Sequence, residues 1–169
     1  MPAAPEPHGS EPIKILLHDN GADVETPWAL PVSSPPDRIL VRLDNVPFLH
    51  AKPTYGDVIE VRQAADQPGL LSWNAAGRSY DEICAALVED GGRYAVIVDY
   101  RCDDVSRFGA MTAWAKREGD LECEGSSGPR DGVPGRLYIA ARYAIGTDAI
   151  MRFLGGNSLG FRFELVHPR

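Results

Sequence analysis

Two five-residue runs, Tyr94-Ala-Val-Ile-Val98 and Leu137-Tyr-Ile-Ala-Ala141, are apolar at every position. A strand sends successive side chains to opposite faces, so such a run has to be covered on both sides. Each therefore predicts an inner strand of a sheet. The segments around them complete a pattern. Residues 105–118 carry Val105, Phe108, Met111 and Ala115 at helical spacing, closed by Gly119. Leu121-Glu-Cys-Glu124 is short and charged, which suits a protected edge strand. Thr147 can cap a helix bearing Ile150, Phe153 and Leu154, which Gly155-Gly156 ends. Phe161, Phe163 and Leu165 alternate with Arg162, Glu164 and Val166 in a last strand. Residues 125–135, rich in glycine and serine, read as the hairpin loop between the second and third strands.

The order is β-α-β-β-α-β, the split arrangement of ferredoxin-like units, whose first and third strands lie centrally. Upstream the grammar differs. Residues 1–12 hold four prolines and no apolar run, and read as a disordered tail. Ile13-Lys-Ile-Leu-Leu17, Val24-Glu-Thr26, Trp28-Ala-Leu30, Val58-Ile-Glu-Val-Arg62 and Leu70-Leu-Ser-Trp73 are short extended pieces divided by Gly, Pro and Asp. In a further strand Ile39, Val41 and Leu43 are expected inward, alternating with Arg38, Leu40 and Arg42. Short strands between such turns predict a small β-barrel or curled sheet. Ser79-Tyr-Asp-Glu82 fits a capping box at the start of a helix. Its buried face would carry Ile83, Cys84, Leu87 and Val88, and Gly91-Gly92 would stop it. The expected chain is thus α+β. A tail spans 1–12, a β-rich half 13–78 and a helical connector 79–92, and the barrel or curled sheet packs on a ferredoxin-like half at 93–169. Both halves are expected to form one cooperative unit, since a curled sheet of that size is marginal alone.

Charge narrows the partners. Seventeen Lys+Arg against 24 Asp+Glu give a net charge of −7, which disfavours nucleic acid and anionic membrane. Neither an apolar run of membrane-spanning length nor a signal-peptide pattern is present. Cys84, Cys102 and Cys123 are odd in number and lack C-x-x-C spacing, which predicts free thiols in the cytoplasm. His8, His18, His50 and His167 show no metal-ligand spacing, so no metal and no other cofactor is expected.

The stretch Val41-Arg-Leu-Asp-Asn-Val-Pro-Phe-Leu-His50, followed by Tyr55-Gly-Asp-Val-Ile-Glu-Val61, resembles an uncharacterised bacterial family, domain of unknown function 4265. Trp28, Asn45, Pro47, Phe48, Tyr55, Gly56 and Asp57 fall on that family's typical positions. The likeness extends more weakly through the C-terminal half, covers roughly residues 13 to 167, and departs from the family at the Ser79–Gly91 helix. It implies a fold and supplies no activity, substrate or cofactor.

The same loop holds the densest set of special side chains. Asn45, Phe48, His50, Tyr55 and Asp57, with Arg101 from the second half, are the candidate ligand-binding residues. His50 and Asp57 would form an orienting acid–base pair in a pocket between the halves. The plainer reading is that Asn45 and Asp57 satisfy turn backbone groups while Pro47 and Phe48 pack. Asp99, Asp103 and Asp104 beside Arg101 read as a strand-to-helix turn with Asp104 as cap. Neither a nucleophile elbow nor a phosphate loop is complete. Two functions follow. One is a non-catalytic binding or accessory factor, immunity-like or pathway-accessory, whose acidic surface meets a basic protein or peptide. The other is a small enzyme or small-molecule binder using His50, Tyr55 and Asp57. A homodimer is left open.

Overall fold

The computed structural model describes residues 11–18, 24–48, 51–101, 107–127 and 132–167. The first ten residues of the expected tail, His50, Cys102, Asp103, Asp104 and Val105 lie outside them.

The first half is β-rich. Its strands are β1 (Ile13–His18), β2 (Val24–Glu25), β3 (Trp28–Val32), β4 (Ile39–Leu43), β5 (Val58–Gln63) and β6 (Leu71–Asn74). Strands β1, β3, β4, β5 and β6 pair antiparallel in that order, and a parallel pairing of β1 with β6 closes the barrel. Closure works because β1 divides its other edge. Ile13 and Lys14 pair with β3, while Leu17 and His18 pair with β2. Alternation then points Ile15, Leu17, Ala29, Val41, Leu43, Ile59, Val61 and Trp73 into one cluster. Ile39 is a correction: it is 43 % exposed, and Leu40 is buried on the opposite face instead. Ile39 opens its strand, and strand ends lie at a barrel's rim, where fewer neighbours can cover them.

The connector also departs from expectation. Ser79 and Glu82 form the predicted capping box, with Ser79 N–H donating to Glu82 Oε2 at 2.7 Å. The helix, α1 (Tyr80–Ala85), places Ile83 in the barrel core but ends well before Gly91. Val88 and Glu89 pair with Val58 instead. Val88 N–H donates to Val58 O and Val58 N–H to Glu89 O, each at 2.9 Å. Pairing with the start of β5 replaces another helical turn, and Val88 is left 42 % exposed.

The second half comprises β7 (Arg93–Arg101), α2 (Phe108–Gly119), β8 (Glu122–Ser127), β9 (Gly135–Arg142), α3 (Thr147–Gly155) and β10 (Arg162–His167). Its antiparallel sheet has the order β10-β7-β9-β8, so the two apolar runs are the two inner strands. Val96, Val98, Tyr100, Leu137, Ile139 and Ala141 share a core with Met111 and Ala115 of α2 and Ile150 and Leu154 of α3. On the other face Ala95, Tyr138 and Ala140 pack against Val46 from the barrel half. Cover on both faces is why neither run alternates.

Helix ends differ from the sequence reading. Gly146, not Thr147, occupies the N-cap of α3, and no side chain caps it. Arg107 stands at the N-cap of α2, again without a side-chain bond. Helix α2 stops at Asp120, which takes the left-handed conformation at φ 53°. Gly119 has another reason to be small: a Cβ there would lie 2.7 Å from Phe153 Cε1. Strand β8 reaches Ser127, so the hairpin loop is shorter than expected. Among the described residues, no helix is long and apolar enough to cross a membrane.

Candidate functional site

The connection from β4 to β5 leaves the barrel, touches the second sheet and returns. Val46 is buried in the cluster with Ala95, Tyr138 and Ala140, and Tyr55 packs at its margin. Asn45 accepts from Trp28 N–H at 3.0 Å through Oδ1, and its Nδ2 donates to Glu124 on β8 at 3.5 Å. The Phe48 ring lies 4.2 Å from that of Tyr138, and Phe48 N–H donates to Glu25 Oε2 at 2.7 Å. Ala95 N–H donates to Ala51 O at 3.2 Å, adding a backbone tie from β7.

Beyond Ala51 the loop folds around a buried ion pair. Lys52 is 1 % exposed and Asp57 0 %. Lys52 Nζ donates to Asp57 Oδ1 at 2.9 Å, to Asp57 Oδ2 at 3.0 Å and to Asp90 Oδ1 at 2.9 Å. Asp57 also accepts Thr54 N–H at 2.7 Å and Gly91 N–H at 2.8 Å. A carboxylate offers about four acceptor positions, and the chain fills them all. Asp90 accepts Tyr143 O–H at 2.7 Å and Gly92 N–H at 2.8 Å, and the Tyr143 ring lies 5.0 Å from the ammonium. Gly91 is glycine because of close approach. A Cβ there would lie 2.6 Å from Gly56 C and 3.0 Å from Asp57 N. Gly56, at φ 87°, supplies the left-handed residue of the turn.

Electrostatics keep this cluster charged and closed. Burial disfavours the Lys52 ammonium, but Tyr143, Asp90 and Asp57 reverse that and hold its pKa above the ordinary lysine value. Burial pushes Asp57 upward, opposed by the Thr54 amide, Lys52 and the Gly91 amide. For Asp90 partial burial also pulls upward, yet Lys52, Tyr143 and Gly92 leave it below the usual carboxylate range. An ammonium held protonated is neither a nucleophile nor a base. A carboxylate with every acceptor position filled has none left for a substrate proton. The cluster therefore joins segments 51–57, 90–92 and 143, and does not present reactive atoms.

A second tie lies alongside. Arg93, 8 % exposed, donates from one guanidinium nitrogen to Asp120 O and Ala140 O, each at 3.0 Å. The same guanidinium lies 5.9 Å from the Tyr55 ring. Asn45, Phe48, Tyr55 and Asp57 are thus brought together, all at the joint between the halves. His50 lies outside the described residues. Arg101 is elsewhere, at the far end of β7, eight residues and roughly 27 Å of strand from Arg93. Three cavities of the described residues are lined by neither Tyr55 nor Asp57. Cys84 and Cys123 are free thiols, and burial pushes Cys123 up to about 12. No cluster of metal-ligating side chains occurs among the described residues.

Sequence reasoning missed Lys52, Asp90, Gly91, Arg93 and Tyr143. Only one local signal pointed to any of them. Lys52 and Asp57 are opposite charges five residues apart in a loop of otherwise packing and turn residues.

Trp28 marks a different place. Its backbone is pinned by Asn45 and by Asp44 N–H, which donates to Trp28 O at 2.9 Å. Its side chain is 46 % exposed beside a hollow of about 520 Å³ lined by Glu11, Pro12, Trp28 and Asp44. The Lys14 ammonium lies 5.0 Å from the ring.

No family model and no curated protein matches the chain. A solved structure titled as a novel crystal structure of a hypothetical protein from Neisseria gonorrhoeae is similar at 9 % identity. It covers 94 % of this chain and 95 % of its own, with a TM-score of 0.46.

Proposed function

We propose that this chain is a non-catalytic binding or accessory protein of the cytoplasm that docks a basic segment of a protein or peptide partner. The carrying observation is the half-exposed Trp28 over a hollow whose other walls include Glu11 and Asp44. An indole face attracts cations, and Lys14 already occupies one approach to it. Two carboxylates beside the ring add complementarity to an incoming lysine or arginine, consistent with the net charge of −7. Asn45 serves this surface as a positioning residue, since it holds the Trp28 backbone while reaching β8.

The same proposal assigns the second half to the ferredoxin-like units, supported by its strand order β10-β7-β9-β8 with one helix in each crossover. It also assigns the chain to domain of unknown function 4265. Of the residues that carry that resemblance, Asn45, Phe48, Tyr55 and Asp57 lie at the joint between the halves, and Trp28 lies at the docking surface. The enzyme reading has less support, because Asp57 is consumed by the joint.

A labelled lysine-rich peptide tests the docking surface by fluorescence anisotropy. Trp28→Ala is expected to weaken binding by tenfold or more, as for an aromatic anchor worth about 2 kcal/mol. Its melting temperature should stay near that of the parent, because the ring is already half in water. Asp44→Asn should weaken binding less and reduce its salt dependence. Absence of binding to the parent protein, or equal affinity in Trp28→Ala, overturns the proposal.

A further inference from the structure

At the far end of β7 the sheet register produces an arrangement that the fold does not need. Arg101 on β7 stands directly opposite Arg162 on β10, and one step along the same face Asp99 stands opposite Glu164. Like charges directly opposite across antiparallel strands destabilise the pair. Asp99 is already engaged by Arg136 Nε at 2.8 Å. Among the described residues, neither Arg101 nor Arg162 has a carboxylate within ion-pair distance. Both are exposed, and with Asp99, Phe163 and Glu164 they line a hollow of about 290 Å³.

Edge protection explains only half of this. A charged side chain on β10 guards an open strand edge against pairing with another chain, which accounts for Arg162. Arg101 belongs to an inner strand, where that reason does not apply.

We propose that Arg101 and Arg162 form a binding site for a phosphate group. Two guanidinium groups can each donate in a fork to the oxygens of a phosphate, and with Asp99 engaged by Arg136 they leave the hollow net positive against the one carboxylate of Glu164. Bound phosphate also removes the repulsion that the register imposes. The hollow leaves room for a small organic remainder, so a phosphate monoester and free phosphate share the chemistry. This site lies away from the Trp28 surface and does not depend on the docking proposal.

Protein-observed NMR of the full chain at constant ionic strength tests it. Titration with inorganic phosphate is expected to give saturating shifts at the Arg101 and Arg162 Nε–Hε signals, while acetate gives none. Phenyl phosphate binding more tightly than inorganic phosphate assigns the site to an ester, and the reverse order assigns it to the free ion. Arg101→Gln and Arg162→Gln should each weaken phosphate binding by about tenfold or more. Each should also leave the ligand-free melting temperature equal or higher, since repulsion is relieved. Shifts that do not saturate, an equal response to acetate, or unchanged affinity in both variants overturn the proposal.

Discussion

Asp57→Asn is expected to cost about 3–5 kcal/mol, the range for removing one partner of a buried ion pair. Asparagine keeps the shape and loses the charge. Its single oxygen cannot accept from Lys52, Thr54 and Gly91 as two carboxylate oxygens do. Its amide group would instead present donors to donors. Asp90 still faces the Lys52 ammonium at 2.9 Å, which places the loss toward the lower end of that range. Lys52→Met alone should be similarly harmful, because it leaves the Asp57 carboxylate buried without its cation. Lys52→Met together with Asp57→Asn should cost less than the two single losses added, since neither buried charge then stays unpaired. Urea unfolding of the three variants measures this. An Asp57→Asn protein within about 1 kcal/mol of the parent would deny the ion pair its structural role.

Gly91→Ala has the second large expected effect. The new methyl would sit 2.6 Å from Gly56 C, 2.9 Å from Gly56 O and 3.0 Å from Asp57 N. All three are backbone atoms, so no side chain can swing away. Gly56 at φ 87° is itself committed to its turn, and separating the two segments would stretch the Gly91 N–H bond to Asp57. Overpacking at roughly 1–3 kcal/mol adds to a hydrogen bond to a charged group worth about 1.5–3 kcal/mol. The sum should lower the melting temperature by about 5–24 °C, at roughly 2–4 °C per kcal/mol for a chain of this length. Gly109→Ala is the matched control. It lies in α2 with nothing within 4 Å of the added Cβ, and should be neutral or stabilising. Equal behaviour of the two variants would show that the approach of Gly56 and Gly91 is not tight.

How far the fold could be read in advance follows from where each signal resides. Strands β7 and β9 were legible because burial on both faces leaves an unbroken apolar run. The barrel strands were legible from alternation and from Gly, Pro and Asp between them. Closure was not. The parallel pairing of Ile15 with Leu71 joins two short strands distant in sequence and leaves no local trace. The role of Gly91 is hidden in the sequence for a physical reason, since a glycine after an apolar helical face looks like a stop whether it ends a helix or admits another backbone. The capping box fixed where α1 begins, but its end depended on Val58, thirty residues before Val88, offering better hydrogen bonds.

The candidate site was legible as a region and not as a chemistry. Asn45, Phe48, Tyr55 and Asp57 do come together, yet as the joint between barrel and sheet. Lys52 was passed over because its burial is made by Asp57, Asp90 and Tyr143 from three separate segments. A lysine in a proline-containing loop otherwise reads as solvated. Trp28 reads in the sequence as a strand residue and as one position of the family resemblance, and its exposure stays hidden because exposure of one face of a short strand cannot be told from alternation over three residues. The resemblance to an uncharacterised family points to the same loop, whose Phe48, Tyr55 and Asp57 serve the joint, and to Trp28 outside it.

The joint is expected to make the barrel and the second sheet one folding unit, and unfolding followed separately in each half tests that most directly. Trp73 is buried in the barrel, while Trp114 packs against the core of the second half with its ring 4.6 Å from Phe153. Two proteins that each retain one of these as the sole tryptophan report the two halves independently under urea. Coincident midpoints and slopes are expected, as for a single two-state transition. Two separated transitions, with either half unfolding while the other keeps its native signal, would contradict it.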